Sequence, residues 1–177
     1  MRLSSRVSIR LVADDVIREI VQKASLTPPG CIVEVGVYQG GTASFLYELA
    51  MQQQRELYLY DTFSGIPHIC EYDKNLDIGD FCNTDYRGIC DLFPKAGVIK
   101  GIFPDSAVAM PPVAFAHIDC DAYQSVKESA QYLAPKMVKG GIMWFDDSPS
   151  LAGALKAVTE LFDGRIRECR SKHYVEF

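Results

Sequence analysis

Short apolar runs alternate with helical patterns along this chain, and that alternation constrains the fold more than any other feature. CIVEV (31–35), ELYLYD (56–61), GVIKG (97–101), VAFAHID (113–119) and GGIMWFDD (140–147) read as strands. Helical patterns start near Thr42 and run over 84–93, 123–137 and 150–162. Ile9, Val12, Val16, Ile20 and Val21 recur at helical spacing, which predicts a first amphipathic helix over 9–24, broken by TPPG at 27–30. RIRECR and HYVEF can pair as a closing antiparallel hairpin. Strands alternating with helices predict an α/β fold: a doubly wound, mostly parallel sheet with helices on both faces. A chain of 177 residues suits one such domain, 1–177.

The strands carry their acids at one end. Glu34 closes the first strand, Asp61 the second, Asp119 the fourth, with Asp121 just past it, and Asp146 and Asp147 the fifth. In parallel sheets ligands bind beyond the carboxyl ends of the strands, where strand order reverses. The acids therefore mark the expected functional edge. Residues 62–83 are rich in Asp, Gly, Asn and Pro and lack periodicity. A loop of that length in a compact domain is expected to be a functional lid.

EVGVYQGGTAS (34–44) is a Gly-rich strand-to-helix turn in which Gly36, Gly40 and Gly41 allow close backbone approach to a ligand. This is a Rossmann-like arrangement. Asp61, at the end of the next strand, is placed to accept from ribose hydroxyls, or else to cap the turn. The spacing is not G-x-G-x-x-G, the form a pyrophosphate requires at a helix N-terminus. S-adenosylmethionine carries no phosphate, and Glu34 suits the polar network around its amino group. The turn thus favours that cofactor over a nicotinamide.

Asp119, Asp121, Asp146 and Asp147 should converge between the fourth and fifth strands. Two like charges ~4 Å apart repel by about 4 kcal/mol at an effective dielectric of ~20. Shared protons or a cation must relieve this. No Lys or Arg cluster lies nearby in sequence, so a hard divalent ion such as Mg²⁺ is the expected partner. The competing reading is that Asp121, Asp147 or Ser148 caps a following helix. Cys120, by strand alternation, should point away from both neighbouring acids. His117 is read as a structural histidine, Trp144 as core, and Tyr58 and Tyr60 as packing residues. His68 sits in the long loop, as a solvated residue or a substrate contact.

EVGVYQGGTAS, LYDTFSGIP, HIDCDAYQS and GGIMWFDD resemble, in that order, the macrocin O-methyltransferase family, over about residues 31–163. The most specific part is the D-x-D-x-Y-x-S block followed by paired aspartates, Asp146 lying 27 residues beyond Asp119 (146 − 119). The resemblance implies an S-adenosylmethionine-dependent, metal-assisted enzyme that methylates a hydroxyl of a sugar or phenolic natural product. It implies that Asp119, Asp146 and Asp147 hold Mg²⁺ and that Asp121 is the general base. Glu34, Gly36, Gly40, Thr42, Asp61, Phe63, Ser106 and Asp119 would form the cofactor site. The chain departs from the family pattern at Cys120, where Gly is common, and at Ser148, where an aromatic is common. It also carries one helix before the first strand where relatives carry more. That leaves two alternatives, an open site for a larger acceptor or a site completed by a second copy in a homo-oligomer.

Composition removes other classes. The net charge of −5, without a dense basic run, argues against a nucleic-acid binder. No apolar stretch approaches the roughly 20 residues of a membrane span, and MRLSSRVSIRL lacks the apolar core of a signal peptide. The expected setting is cytoplasmic, with Cys31, Cys70, Cys82, Cys90, Cys120 and Cys169 reduced. His68, Cys70, Cys82 and Cys90 have zinc-ligand chemistry, but their spacing matches no paired-cysteine pattern. Two further functional readings stand beside the methyltransferase: a non-catalytic S-adenosylmethionine-binding protein, supported by the short N-terminal part, and an NAD-dependent oxidoreductase, disfavoured by the missing G-x-G-x-x-G.

Overall fold

A computed structural model describes residues 11–177. Ile9 and the start of the expected first helix lie outside the described residues. In chain order the elements are α1 (Asp14–Leu26), β1 (Cys31–Val35), α2 (Gly41–Gln53), β2 (Leu57–Asp61), α3 (Tyr86–Leu92), β3 (Gly97–Lys100), β4 (Val113–Ile118), α4 (Tyr123–Leu133), β5 (Met137–Phe145), α5 (Ala152–Phe162), β6 (Arg167–Cys169) and β7 (Lys172–Glu176). A 3₁₀ turn, Ala134–Lys136, finishes α4 because Pro135 cannot donate to a continuing helix. The fifth strand begins at Met137, earlier than its apolar run at 140 suggests. Among the described residues no helix is long and apolar enough to cross a membrane.

The seven strands form one sheet in the order β3-β2-β1-β4-β5-β7-β6. The pairs among β1 to β5 are parallel, and β7 runs antiparallel to both β5 and β6. Strand order reverses between β1 and β4, so the crevice opens beyond Val35 and Ile118.

Period-two alternation sorts the strand side chains between two cores. Val33, Val35, Ile118, Met143 and Phe145 face α4 and α5, with Val126, Ala130, Ala157 and Val158 packed on them. Ile32, Phe115 and Trp144 face the other side with Ile20, Leu46 and Phe93, under α1 to α3. Trp144 and Tyr60 are fully buried, as packing residues should be.

Register then aligns the strand ends. Val35 lies between Tyr60 and Ile118, and Ile118 lies beside Phe145. One step further, the Gly36 amide donates to Tyr60 O (2.8 Å), that of Asp119 to Val35 O (2.9 Å) and that of Asp146 to Ile118 O (3.0 Å). Gly36, Asp61, Asp119 and Asp146 thus form one row at the sheet's carboxyl edge. Gly36 has φ +93°, and a Cβ there would lie 1.7 Å from the backbone oxygen of Asp119. No side chain fits that space without parting β1 from β4. Gly164 also has positive φ, yet nothing lies within 4 Å of its Cβ position.

Gly36→Ala should therefore cost more than about 3 kcal/mol, since backbone must move, whereas Gly164→Ala should cost about 1–2 kcal/mol from conformation alone. Urea denaturation midpoints of the two variants check this; equal losses would show that the edge yields easily at Gly36.

Candidate active site

A cavity of about 290 Å³ sits at the carboxyl edge, and its wall includes Gly36, Asp61, Asp119, Asp121, Asp146 and Asp147. Six of the residues expected from sequence therefore meet in one place. β1, β2, β4 and β5 each supply one from the aligned row, and the turns after β4 and β5 supply Asp121 and Asp147. Asp121 adopts φ +58°, and its amide donates to Asp147 Oδ2 (2.9 Å). That bond ties the turn after β4 to the turn after β5.

One carboxylate oxygen each from Asp119, Asp146 and Asp147 lies within 4.8 Å of the others. The charge balance of this cluster is unequal. Burial first, then Asp147 and Asp146, push the carboxyl of Asp119 well above its ordinary range. Burial and Asp147 push Asp121 up to about 8, and burial and Asp146 push Asp147 up to about 6. Asp146 moves the other way. Burial would raise it, but His117 and Lys172 together outweigh burial and lower it. Lys172 Nζ donates to Asp146 Oδ2 (2.8 Å) and to its backbone oxygen (2.6 Å). Asp146 Oδ1 is buried and has no hydrogen-bond partner. Three oxygen donors with an unsatisfied oxygen and residual negative charge match a hard divalent cation.

Behind this cluster, Glu34 is buried against His117, whose Nδ1 lies 2.9 Å from Glu34 Oε1. His117 Nε2 faces Asp146 Oδ1 at 4.0 Å. Burial disfavours the imidazolium, but Asp146 and Glu34 outweigh it and push His117 up to about 10. His117 thus lies buried between two acids that both favour its protonated form. Glu34 does not line the cavity: alternation turns it, one residue before the strand end, to the α1–α3 side.

Other expected cofactor residues also stand behind the wall. Gly40 starts α2 at φ +82°, close under the Phe93 ring, and Thr42 is buried in the helix's first turn. Phe63 packs into the α1–α3 core with its ring 5.0 Å from that of Tyr86. Ser106 Oγ is buried beneath Gly101. Asp61 does line the cavity, and it also holds the turn: its Oδ2 accepts from the amides of Val37 and Tyr38 (both 2.8 Å), its Oδ1 from that of Phe63 (2.7 Å). The capping and ligand readings of Asp61 are therefore not alternatives. Oδ2 uses both lone pairs on the two amides, and Oδ1 keeps one beyond that of Phe63.

Cys120 lines the cavity together with Asp119 and Asp121, against expectation. β4 ends at Ile118, so strand alternation does not reach position 120. Its sulfur lies 3.9 Å from Ser129 Oγ, and burial raises the thiol's pKa well above the ordinary value. Cys70 Sγ donates to Asp73 rather than joining Cys82 and Cys90. Among the described residues the only cluster of three or more metal-ligating side chains is the aspartate triad. His68 Nε2 lies 3.4 Å from Ser125 Oγ, a cavity-lining residue.

Sequence reading missed Lys172, because nothing near Asp146 in the chain announces it. Its signal is the hairpin register: Phe145 pairs with His173, which sets Lys172 beside Asp146. Tyr38 and Phe81 were missed also. Their rings meet edge to face, 5.7 Å apart, on the cavity wall.

Known proteins agree with this architecture. Over 140 residues the chain is 24% identical to the 8-demethyl-8-(2,3-dimethoxy-alpha-L-rhamnosyl)-tetracenomycin-C 4'-O-methyltransferase of Streptomyces olivaceus; the match covers 67% of this chain and 53% of that protein. The chain thus spans about half the length of that relative. The solved structure of the O-methyltransferase NovP superposes with a TM-score of 0.77 at 22% identity, covering 92% of this chain and 78% of NovP. An O-methyltransferase from Bacillus cereus in complex with SAH superposes with a TM-score of 0.63 at 13% identity, covering 99% and 87% of the two chains. These likenesses bear on the fold. The model of the macrocin-O-methyltransferase (TylF) family matches residues 9–166, nearly the whole chain, and the protein belongs to that family.

Proposed function

We propose that this protein is an S-adenosylmethionine-dependent O-methyltransferase, assisted by a divalent cation, that acts on a hydroxyl of a sugar-bearing small molecule. One observation carries the reading: a Gly-rich turn braced by Asp61 faces, across one cavity, a triad of aspartates with a fourth, Asp121, beside it. Family membership supports O-methyl transfer, and the sugar acceptor is suggested by the rhamnosyl group in the relative's name. The relative in complex with SAH, the demethylated form of the donor, supports the cofactor. The missing G-x-G-x-x-G argues against a dinucleotide in the same turn.

In this reading the two ends of the crevice have separate tasks. Gly36 gives backbone access to the cofactor, and the remaining lone pair of Asp61 Oδ1 accepts from its ribose. Asp119, Asp146 and Asp147 hold the cation, with Lys172 and His117 keeping Asp146 ionised. The cation, when bound, offsets the cluster's charge and acidifies the acceptor hydroxyl. Asp121 would take the hydroxyl proton onto its carboxylate, and the donor would supply its sulfonium methyl in line to the oxygen, the methyl–sulfur bond breaking to leave S-adenosylhomocysteine. Without the cation, burial and Asp147 push the pKa of Asp121 up to about 8, and the cation's charge would lower it and free the carboxylate to act as base. Calorimetric titration with S-adenosylhomocysteine and with NAD, each with and without Mg²⁺, tests the donor and metal. Binding of NAD in preference to the homocysteine form would sink the reading, and labelled donor with a panel of glycosides tests the acceptor.

The raised carboxyls give a pH signature. A carboxyl whose folded pKa exceeds its unfolded value stabilises the fold below the unfolded value, near 4, and loses that contribution as pH rises through the folded value. For Asp147 and Asp121 the window runs from about 4 to about 6 and about 8. Metal-free protein should lose stability across that window, and Mg²⁺ should raise the melting temperature more at pH 8 than at pH 5. A Mg²⁺ effect that is absent, or equal at both pH values, argues that the triad is not a cation site.

Asp119 and Asp121 should separate by role. Asp119→Asn is expected to weaken Mg²⁺ binding, with activity partly restored by added Mg²⁺. Asp121→Asn is expected to bind metal and cofactor nearly normally and lose roughly 10²–10⁴ in turnover. Metal titration of both variants checks this, and the opposite pattern reverses the two assignments.

A further inference from the structure

Residues 62–83 cover the cavity, with Gly65, Ile66, Pro67 and Phe81 in its wall. The segment is held at its centre by Asp73, an acid only 5% exposed in a stretch without regular structure. Asp73 Oδ2 accepts from the amide (3.0 Å) and the thiol (3.2 Å) of Cys70. Its Oδ1 accepts from the amide of Tyr123, the first residue of α4 (2.8 Å). The residue before α4 is Ala122, whose side chain cannot cap a helix. The cap comes instead from a residue 50 positions earlier in the chain, and its negative charge also suits the helix N-terminus.

The notch that receives Asp73 is shaped for it. A Cβ at Gly153, in the first turn of α5, would lie 2.0 Å from Asp73 Oδ1. Neighbouring contacts reinforce the seat. The Tyr72 ring packs edge to face on that of Tyr123 at 5.1 Å, and Lys156 Nζ lies 4.7 Å above Tyr72. Tyr123 lies two residues after Asp121, whose own amide is tied to Asp147.

We propose that Asp73 is a positioning residue that couples the cover over residues 62–83 to the turn bearing Asp121, so that closing the cover completes the cap of α4 and fixes the base. The inference deepens the methyltransferase reading, and its catalytic part rests on that reading. When Asp73 leaves the notch, α4 loses its first-turn acceptor and the Asp119–Asp121 turn loses its support on the helix side. Opening of the cover and misplacement of the base are then one event, and transfer is confined to the closed, water-poor state.

Three variants test this. Asp73→Ala removes both acceptors. Gly153→Ala leaves Asp73 intact and fills its notch. Asp73→Asn keeps an oxygen for Tyr123 but sets an amide toward Cys70. Hydrogen exchange by NMR on the full chain should show faster exchange at Tyr123, at Asp121 and along 66–82 in the first two variants, and an intermediate effect in Asp73→Asn. In the transfer assay the first two should lose about 10- to 100-fold in kcat, the scale of a small misplacement of catalytic groups. Calorimetry should find Mg²⁺ affinity within about threefold of the parent, because the triad keeps its own supports. Unchanged exchange of the Asp121 amide in both Asp73→Ala and Gly153→Ala overturns the coupling, as does faster exchange with kcat intact. A parent protein that transfers no methyl group to any acceptor overturns the reading of the site instead, and the Asp121 exchange still decides the coupling.

Discussion

Repulsion among the carboxyl groups beyond β4 and β5 governs the rest of the site. Asp119, Asp121, Asp146 and Asp147 crowd a partly buried crevice, and burial makes each charge more costly still. The protein answers unevenly. It sets Lys172 on Asp146 and His117 between Asp146 and Glu34, and leaves the other three raised. Asp146 is thereby favoured in its ionised form, while Asp119, Asp121 and Asp147 are pushed toward their protonated forms. An even distribution of cations would neutralise the cluster.

The parts legible in the sequence are those that depend on chain direction. Strands of similar length in a parallel sheet bring their carboxyl ends to one edge, so Asp61, Asp119 and Asp146 could be placed together without knowing any contact. Asp121 and Asp147 followed as the next residues on the same turns. The convergence of these aspartates on one cavity was therefore readable, and so was the fold, down to the antiparallel hairpin.

What was not legible depends on registers and endings. Glu34 sits one residue from the strand end, and that single step carries it to the opposite face from Val35. Cys120 escaped the alternation rule because β4 stops two residues earlier. Lys172 reaches Asp146 only through the pairing of Phe145 with His173. Asp73 lies in a stretch whose composition reads as plain loop, yet it is as buried as a core residue. Its local partner, Cys70, makes only an ordinary turn contact, and the neighbours that bury it, Tyr123 and Gly153, lie 50 and 80 positions away (123 − 73 and 153 − 73).

The cover itself has a geometry that joins the two ends of the crevice. It leaves the sheet at Asp61, which holds the amides of Val37 and Tyr38 and that of Phe63. It returns to the same Gly-rich turn at its far end, where Tyr38 Oη donates to Asn83 Oδ1 (3.0 Å) and Gln39 Nε2 to Asn83 O (2.9 Å). Within the segment, Ile66 and Asp80 are joined by the Ile66 amide (2.9 Å), and the Gly79 amide returns to Ile66 O (2.9 Å). Both ends thus adjoin the Gly-rich turn, and the middle of the segment reaches α4 through Asp73, His68 and Tyr72. A strap whose ends are fixed on one wall can lift its middle from the other without releasing them. The contacts that would yield on opening are therefore those of Asp73, His68 and Tyr72 with α4, while the turn around Asp61 keeps its shape.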